Sequence, residues 1–161
     1  MAEKKADFEK RIRNEGAKMR EESRQERIRR TKEITQRWKN GYAALKQEND
    51  SLQMESSKWF DRETTELNEL QKLQLSEPPP EGILKSDWVK GIYEDFGKMK
   101  MNARDERDDK IKAISERWRA GFKTLKEEND RLQKELNDWW ELDKLQIQNY
   151  VLENIERGYG F

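Results

Sequence analysis

Apolar side chains recur at steps of three and four residues in two long stretches of the chain. Steps of this size place side chains on one face of an α-helix, and a narrow stripe of them is typical of a coiled coil. The first stripe is Trp38, Tyr42, Leu45, Asn49, Leu52, Ser56 and Trp59. The second stripe is Trp118, Phe122, Leu125, Asn129, Leu132, Leu136 and Trp139. We interpret both as heptads, with Tyr42, Phe122 and the asparagines at position a and the leucines and tryptophans at position d.

The second stretch repeats the first at a distance of 80 residues. From about residue 8 to about residue 75 the chain aligns without a gap with residues 88–155. Between residues 34 and 59, 13 of 26 positions are identical to their partners, among them Trp38, Gly41 and Asn49. This agreement in a single register indicates an internal duplication.

A proline-rich segment separates the two repeats. Residues 76–82 contain three consecutive prolines, and a helix does not run through them because proline lacks the N–H donor. Ser86 followed by Asp87 is typical of an N-cap with an acid in the first turn. The sequence therefore predicts helices over about 8–74 and 87–156. It divides the chain into a first coiled-coil repeat at 1–75, a turn at 76–86, a second repeat at 87–157 and a frayed tail at 158–161.

The length of the predicted helices decides their arrangement. Each is roughly 100 Å long, whereas residues 76–86 span at most about 38 Å. Parallel pairing within one chain is thus excluded, and we expect an all-α fold in which two long helices form an antiparallel coiled-coil hairpin. With the bend near Glu81, Gly41 is expected to face Gly121 and to let the backbones approach. The alternative is that both helices break at these glycines. Dimerisation of two hairpins is a candidate route to a four-helix assembly.

Charge favours the same arrangement. Residues 18–32 hold seven basic and three acidic side chains, whereas residues 127–143 hold seven acidic and two basic ones. Opposite charges on facing helices select their orientation. The predicted helix–helix interface comprises Trp38, Gly41, Tyr42, Leu45, Leu52, Trp59, Trp118, Gly121, Phe122, Leu125, Leu132 and Trp139.

Two pairs of adjacent aromatic residues, at 59–60 and 139–140, extend beyond the heptad stripe. One member of each pair occupies position d, and its neighbour points to the flank of the helix. Aromatic side chains dominate the energetics of protein interfaces, so the flanking members are candidate contacts for another protein. The apolar faces near both ends of the second helix add further candidates. The predicted partner-binding residues are Phe60, Trp140, Trp88, Tyr93, Phe96 and Tyr150.

Composition narrows the function further. Charged residues make up 42% and hydrophobic residues 32% of the 161 residues, and 34 bases balance 34 acids, which is too polar for a broad globular core. The chain has no cysteine and no histidine, which excludes disulfides, thiolate zinc sites and imidazole catalysis. We therefore expect no enzyme, no catalytic or metal-binding residues and no cofactor. No stretch approaches the ~18 apolar residues of a membrane span, and residues 1–5 are charged, so we expect no membrane insertion and an intracellular protein, cytoplasmic or nuclear.

Two functions remain. Leu45, Asn49 and Leu52 after a basic segment resemble the zipper of basic-leucine-zipper proteins, but the residues that such proteins use to read DNA are missing from residues 14–30. We therefore expect a non-enzymatic coiled-coil scaffold or tether, or an oligomerisation protein, that presents tryptophan-rich helical surfaces to protein partners, and we do not expect nucleic acid as a partner. The alternative is a nuclear zipper-type regulator that contacts nucleic acid through residues 10–32.

Overall fold

The computed structural model describes residues 4–159 and is all-helical, as the sequence predicts. It contains two long helices that pack against each other, α1 (Lys5–Ser76, 72 residues) and α2 (Lys85–Tyr159, 75 residues). Both extend two or three residues beyond each end that the sequence predicts. The tail predicted at 158–161 overlaps α2 at residues 158 and 159, and its last two residues lie outside the described part. Within residues 4–159 neither helix carries an apolar stretch suited to crossing a membrane.

The connection between the helices is short and closed by hydrogen bonds. At the end of α1, the Ser76 hydroxyl donates to the Leu73 carbonyl at 2.7 Å. The Ile83 amide donates to the Pro80 carbonyl at 3.2 Å across Gly82, whose φ of 83° lies in the left-handed region that favours glycine. The prolines thus end α1, and a glycine makes the turn that starts α2.

The start of α2 differs from the predicted N-cap at Ser86. The Trp88 amide donates to the Leu84 carbonyl at 3.0 Å, so the helical hydrogen bonding already begins at Leu84. Ser86 therefore lies inside the first turn and does not cap it. Asp87 is the first-turn acid of α2, as predicted, where it complements the positive end of the helix dipole.

Both helices continue through the central glycines. Residue 41 lies inside α1 and residue 121 inside α2, and each is followed by more than 30 further helical residues. Gly41 and Gly121 therefore do not break the helices.

The chain divides into two compact units. Unit 1 is Met1–Tyr42 with Lys123–Phe161, and unit 2 is Ala43–Phe122. In unit 1, residues 15, 27 and 41 of α1 contact residues 150, 140 and 125 of α2. In unit 2, residues 45, 60 and 71 of α1 contact residues 121, 107 and 100 of α2. Within each unit the numbers rise along α1 and fall along α2, so the paired segments run antiparallel.

Burial follows a period of eleven residues on both helices. We refer to these buried or half-buried residues as the eleven-residue ladder. On α1 its members are Ile12, Ser23, Ile34, Leu45, Ser56 and Leu67. On α2 they are Ile92, Ala103, Ile114, Leu125, Leu136 and Ile147. Eleven residues in three turns give about 3.67 residues per turn, where a heptad gives 3.5.

Candidate functional site

The central glycine of each repeat receives a leucine from the opposite helix. A Cβ placed on Gly41 would lie 2.5 Å from Leu125 Cδ1 in unit 1, and one on Gly121 would lie 2.6 Å from Leu45 Cδ1 in unit 2. Both glycines therefore lie where a larger side chain would meet the opposite helix. The sequence predicted that Gly41 faces Gly121. Each glycine instead faces a leucine that lies four residues, about one helical turn, beyond the other glycine.

An ion pair joins the two helices next to each glycine. Arg37 pairs with Glu128 in unit 1, and Arg117 pairs with Glu48 in unit 2. Positions 37 and 117 are 80 residues apart, and so are positions 48 and 128. The duplication has therefore preserved a pair of contacting residues, which indicates that both units use the same side of each helix for pairing. Both arginines are about two-thirds exposed (67% and 68%), so each pair contributes at most about 1 kcal/mol.

Each adjacent pair of aromatic residues lies under cations from the opposite helix. In unit 1, the Arg27 guanidinium carbon lies 3.8 Å from the centroid of the Trp140 ring, and that of Arg30 lies 4.2 Å from the Trp139 ring. Trp140 also has the Lys144 ammonium 3.8 Å from its ring. Cation–π contacts of this geometry are worth about 0.5–1 kcal/mol at exposed sites. Basic residues of the 18–32 segment thus meet aromatic rings here, a contact that charge complementarity alone does not predict.

Unit 2 repeats this arrangement with different side chains. Lys110 lies 3.5 Å from the Trp59 ring centroid, and the Arg107 guanidinium lies 4.4 Å from the Phe60 ring. Positions 107 and 110 are the counterparts of 27 and 30. Four cation–aromatic contacts between the helices are therefore related in pairs by the 80-residue repeat.

The other predicted interface residues divide into two groups. The first group is half-buried on the side of the opposite helix and comprises Trp38, Trp118, Leu52 and Leu132. Tyr42 and Phe122, placed at heptad position a, are instead 40% and 37% exposed. The reason is the eleven-residue period, which puts the glycine before each aromatic residue on the line of closest approach.

The predicted partner-binding residues also differ in exposure. Phe96 is only 2% exposed and belongs to the core of unit 2 with Leu67, Ile92 and Ala103, so it is not available to a partner. Trp88 is half-buried against the same core. Tyr93 is 57% exposed. The Tyr150 hydroxyl donates to Glu15 Oε2 at 3.3 Å across the helices of unit 1. Phe60 and Trp140 are half-buried beneath their cations.

The basic segment at residues 10–32 is rich in ion pairs along its own helix. Arg29 Nη2 lies 2.5 Å from Glu26 Oε1, and Arg29 Nη1 lies 2.5 Å from Glu33 Oε1. Arg30 Nε lies 2.9 Å from Glu26 Oε1. Hydrogen bonds from Arg29, and then from Arg30, lower the pKa of Glu26 from 4.5 to about 2. The same contacts raise the pKa of Arg29. The hydrogen bond from Gln25, with help from Arg24, lowers the pKa of Glu21.

Sequence reasoning missed ladder residues outside the two predicted stripes, among them Ile12, Ser23 and Ala103. The signal was present, because the ladder residues of each helix recur at a constant interval. Ser23 and Ala103 have small side chains, so a search for large apolar residues passes over them. Among residues 4–159 there is no group of three or more acidic, cysteine or histidine side chains that could hold a metal ion.

Compared with protein-family models, with curated proteins and with solved structures, the chain shows no match. The two repeats therefore serve as each other's comparison. Positions at which they differ mark features that the duplication does not explain.

Proposed function

We propose that the chain is a non-enzymatic coiled-coil scaffold or tether, built as an antiparallel hairpin that binds further helices through apolar side chains outside its own seam. The paired glycine–leucine, ion-pair and cation–aromatic contacts of both units support the coiled-coil part of the proposal. They occupy one stripe on each helix and leave the other faces for partners.

The observation that carries the binding part is a second apolar stripe on α2 in unit 1. Leu142, Leu145 and Leu152 are 55%, 53% and 52% exposed. Their steps of three and seven residues place them on one face of the helix. The equivalent positions on α1 are Arg62, Thr65 and Lys72, which are polar, so the duplication does not explain these leucines.

A second copy of the chain is the partner that the proposal favours. Exposed leucines at coiled-coil spacing suit another helix with the same spacing, and a second chain supplies one. Two hairpins joined in this way form a four-helix assembly. A dimer of this kind would carry two copies of each surface that is not used for dimerisation.

Sedimentation equilibrium over a range of protein concentrations tests this proposal. We expect the wild-type chain to form dimers and the Leu142→Glu/Leu145→Glu variant to remain monomeric with unchanged helical circular dichroism. Met54→Glu/Met101→Glu is the matched control, because Met54 and Met101 are also more than half exposed (58% and 60%) but lie away from the stripe. A wild-type chain that stays monomeric, or a control that dissociates as completely as the leucine variant, would contradict the proposal.

The zipper-type regulator remains a separate hypothesis that a salt titration distinguishes. Phosphate contacts make DNA affinity fall steeply with salt. We expect no tight binding of duplex DNA at physiological salt, since Arg24, Arg29 and Arg30 are already engaged with glutamates along α1. Tight binding that weakens steeply with salt, and that is lost when these arginines are replaced by glutamine, would favour the regulator.

A further inference from the structure

The ladders of the two units differ at three positions, and the largest change in side-chain size is at residue 56. Ser56 occupies the place that Leu136 has in unit 1, and both are buried (8% and 7% exposed). The Ser56 hydroxyl makes no hydrogen bond to any described residue. A buried hydroxyl without a partner loses the hydrogen bonds that it makes to water in the unfolded chain, so Ser56 is an unfavourable choice if its only task is to pack.

The smaller side chain opens the seam on both of its sides. On one side, unit 2 has a groove of about 450 Å³ where the equivalent groove of unit 1 measures about 250 Å³. On the other side, the grooves measure about 440 and 170 Å³. Ser56 lines both grooves of unit 2. The first, which we call the Ser56 groove, falls within the roughly 300–1,000 Å³ of small-molecule sites.

Apolar side chains form one part of the lining of the Ser56 groove. Leu52, Trp59, Ala113 and Ile114 line it. Ala113 stands where unit 1 has Glu33, which lines the equivalent groove there. The exchange of glutamate for alanine widens the groove and removes an acid from its wall.

The lining of the Ser56 groove also carries fewer acidic side chains than the lining of the unit 1 groove. Two basic side chains, Lys110 and Arg117, and one acidic side chain, Glu55, line the Ser56 groove. Two basic and two acidic side chains line the unit 1 groove. The Lys110 ammonium also marks the aromatic end of the groove, since it lies over the Trp59 ring.

We propose that the Ser56 groove binds a small organic carboxylate with an aromatic or aliphatic body. The body lies against Leu52, Trp59 and Ile114, where it replaces the packing that a leucine at position 56 would supply. The carboxylate accepts a hydrogen bond from the Lys110 ammonium, which lines the groove. The proposal is independent of the scaffold function, because it uses the seam of unit 2 and not the leucine stripe of unit 1.

Isothermal titration calorimetry of the full chain with naphthalene-2-carboxylate tests the site, and naphthalene-2-carboxamide is the neutral comparison. We expect one site per chain and about ten-fold tighter binding of the carboxylate, because hydrogen bonds to charged groups are the stronger ones. Ser56→Leu fills the groove as Leu136 does in unit 1 and is expected to weaken binding at least about ten-fold.

If Ser56→Leu disturbs the fold, Ala113→Glu is a second variant that tests binding in the groove. It restores the unit 1 glutamate at an exposed position, and we expect the same loss of carboxylate affinity. Ala44→Glu adds the same charge at an exposed position of unit 2 outside the groove and is expected to bind like the wild type. Equal affinity for the two probes, equal affinity of the Ala113→Glu and Ala44→Glu variants, or no saturable binding at millimolar probe would overturn the proposal.

Discussion

Leu125 occupies the space that Gly41 leaves in the seam of unit 1. A methyl group at position 41 would come within 2.5 Å of Leu125 Cδ1, which is closer than two carbon atoms pack. Unit 2 repeats the relationship with Gly121 and Leu45 at 2.6 Å. Each glycine costs its helix about 1 kcal/mol relative to alanine, and the close approach of the facing leucine offsets that cost.

Replacing Gly41 with leucine tests this relationship. We expect Gly41→Leu to lower the free energy of unfolding by about 1–3 kcal/mol, because the added side chain overpacks the seam against Leu125. The equivalent change, Gly121→Leu, is expected to act in the same direction. Urea denaturation followed by circular dichroism measures both.

The matched control is Gly97→Leu. Gly97 also lies inside α2, but nothing lies within 4 Å of a Cβ placed on it. Without overpacking, leucine's better helix propensity is expected to raise the free energy of unfolding by up to about 1 kcal/mol. Opposite signs at positions 41 and 97 support the packing role, whereas stabilisation at both positions would show that the seam has room at Gly41.

Much of the fold was predictable from local signals. The proline run ends α1, and the long charged helices follow from an apolar stripe with few glycines and prolines. The 80-residue repeat and the short connection indicated antiparallel pairing, which the contacts of each unit show. The start of α2 was predicted to within two residues but with the wrong capping residue, because Ser86 is a good capping residue and nothing in the sequence indicates that the Leu84 carbonyl takes the first helical hydrogen bond.

The details of the seam were less predictable, for a geometric reason. Over residues 38–59 the heptad stripe agrees with the buried and half-buried positions of the structure except at residues 41 and 42. Tyr42 carries an apolar signal and Gly41 carries none, so the heptad interpretation selected the wrong neighbour. A longer window separates the two periods, since 3.5 and 3.67 residues per turn drift apart in phase by about 33° per heptad.

The difference between Ser56 and Leu136 gives a prediction about stability. Leu136→Ser is expected to lower the free energy of unfolding by about 2–5 kcal/mol, because it removes a buried leucine and leaves a cavity. Ser56→Leu is expected to raise it by about 1–3 kcal/mol, since it removes a buried hydroxyl without a partner. Thermal melting of the two single variants checks the signs. A destabilising Ser56→Leu would mean that unit 2 does not accommodate the side chain that unit 1 does.

Removing a cation from above Trp140 gives a prediction about the cation–aromatic contacts. Arg27→Gln is expected to lower the free energy of unfolding by about 0.5–1 kcal/mol, because it removes the guanidinium that lies 3.8 Å from the ring. Arg13→Gln, at an exposed position of the same helix, is the control and is expected to change it by less than about 0.5 kcal/mol. Equal effects of the two substitutions would mean that the contact with Trp140 contributes nothing specific.

The pKa of Glu26 predicts how its ion pairs depend on pH. The folded chain lowers this pKa from 4.5 to about 2, so the pairs with Arg29 and Arg30 stabilise the fold fully above about pH 4.5 and lose that contribution as pH falls toward 2. Urea midpoints of the wild type and Glu26→Gln should therefore differ by a constant, small amount near neutral pH. The difference should be largely lost at about pH 2, where half of the folded-state Glu26 carboxylates are protonated, and should vanish below it. A difference that persists there would assign the stabilisation to something other than the ionised carboxylate.

Crosslinking across the seam tests the antiparallel pairing most directly. Two variants place cysteines at the cross-helix ion pairs, Arg37→Cys/Glu128→Cys in unit 1 and Glu48→Cys/Arg117→Cys in unit 2. Treated with a short bis-maleimide at low protein concentration, both are expected to give monomeric products whose crosslinked peptides join 37 to 128 and 48 to 117. The single variant Arg37→Cys is expected to give no product under the same conditions. Crosslinks that join residue 37 of one chain to residue 37 of another, without the intramolecular products, would contradict the account.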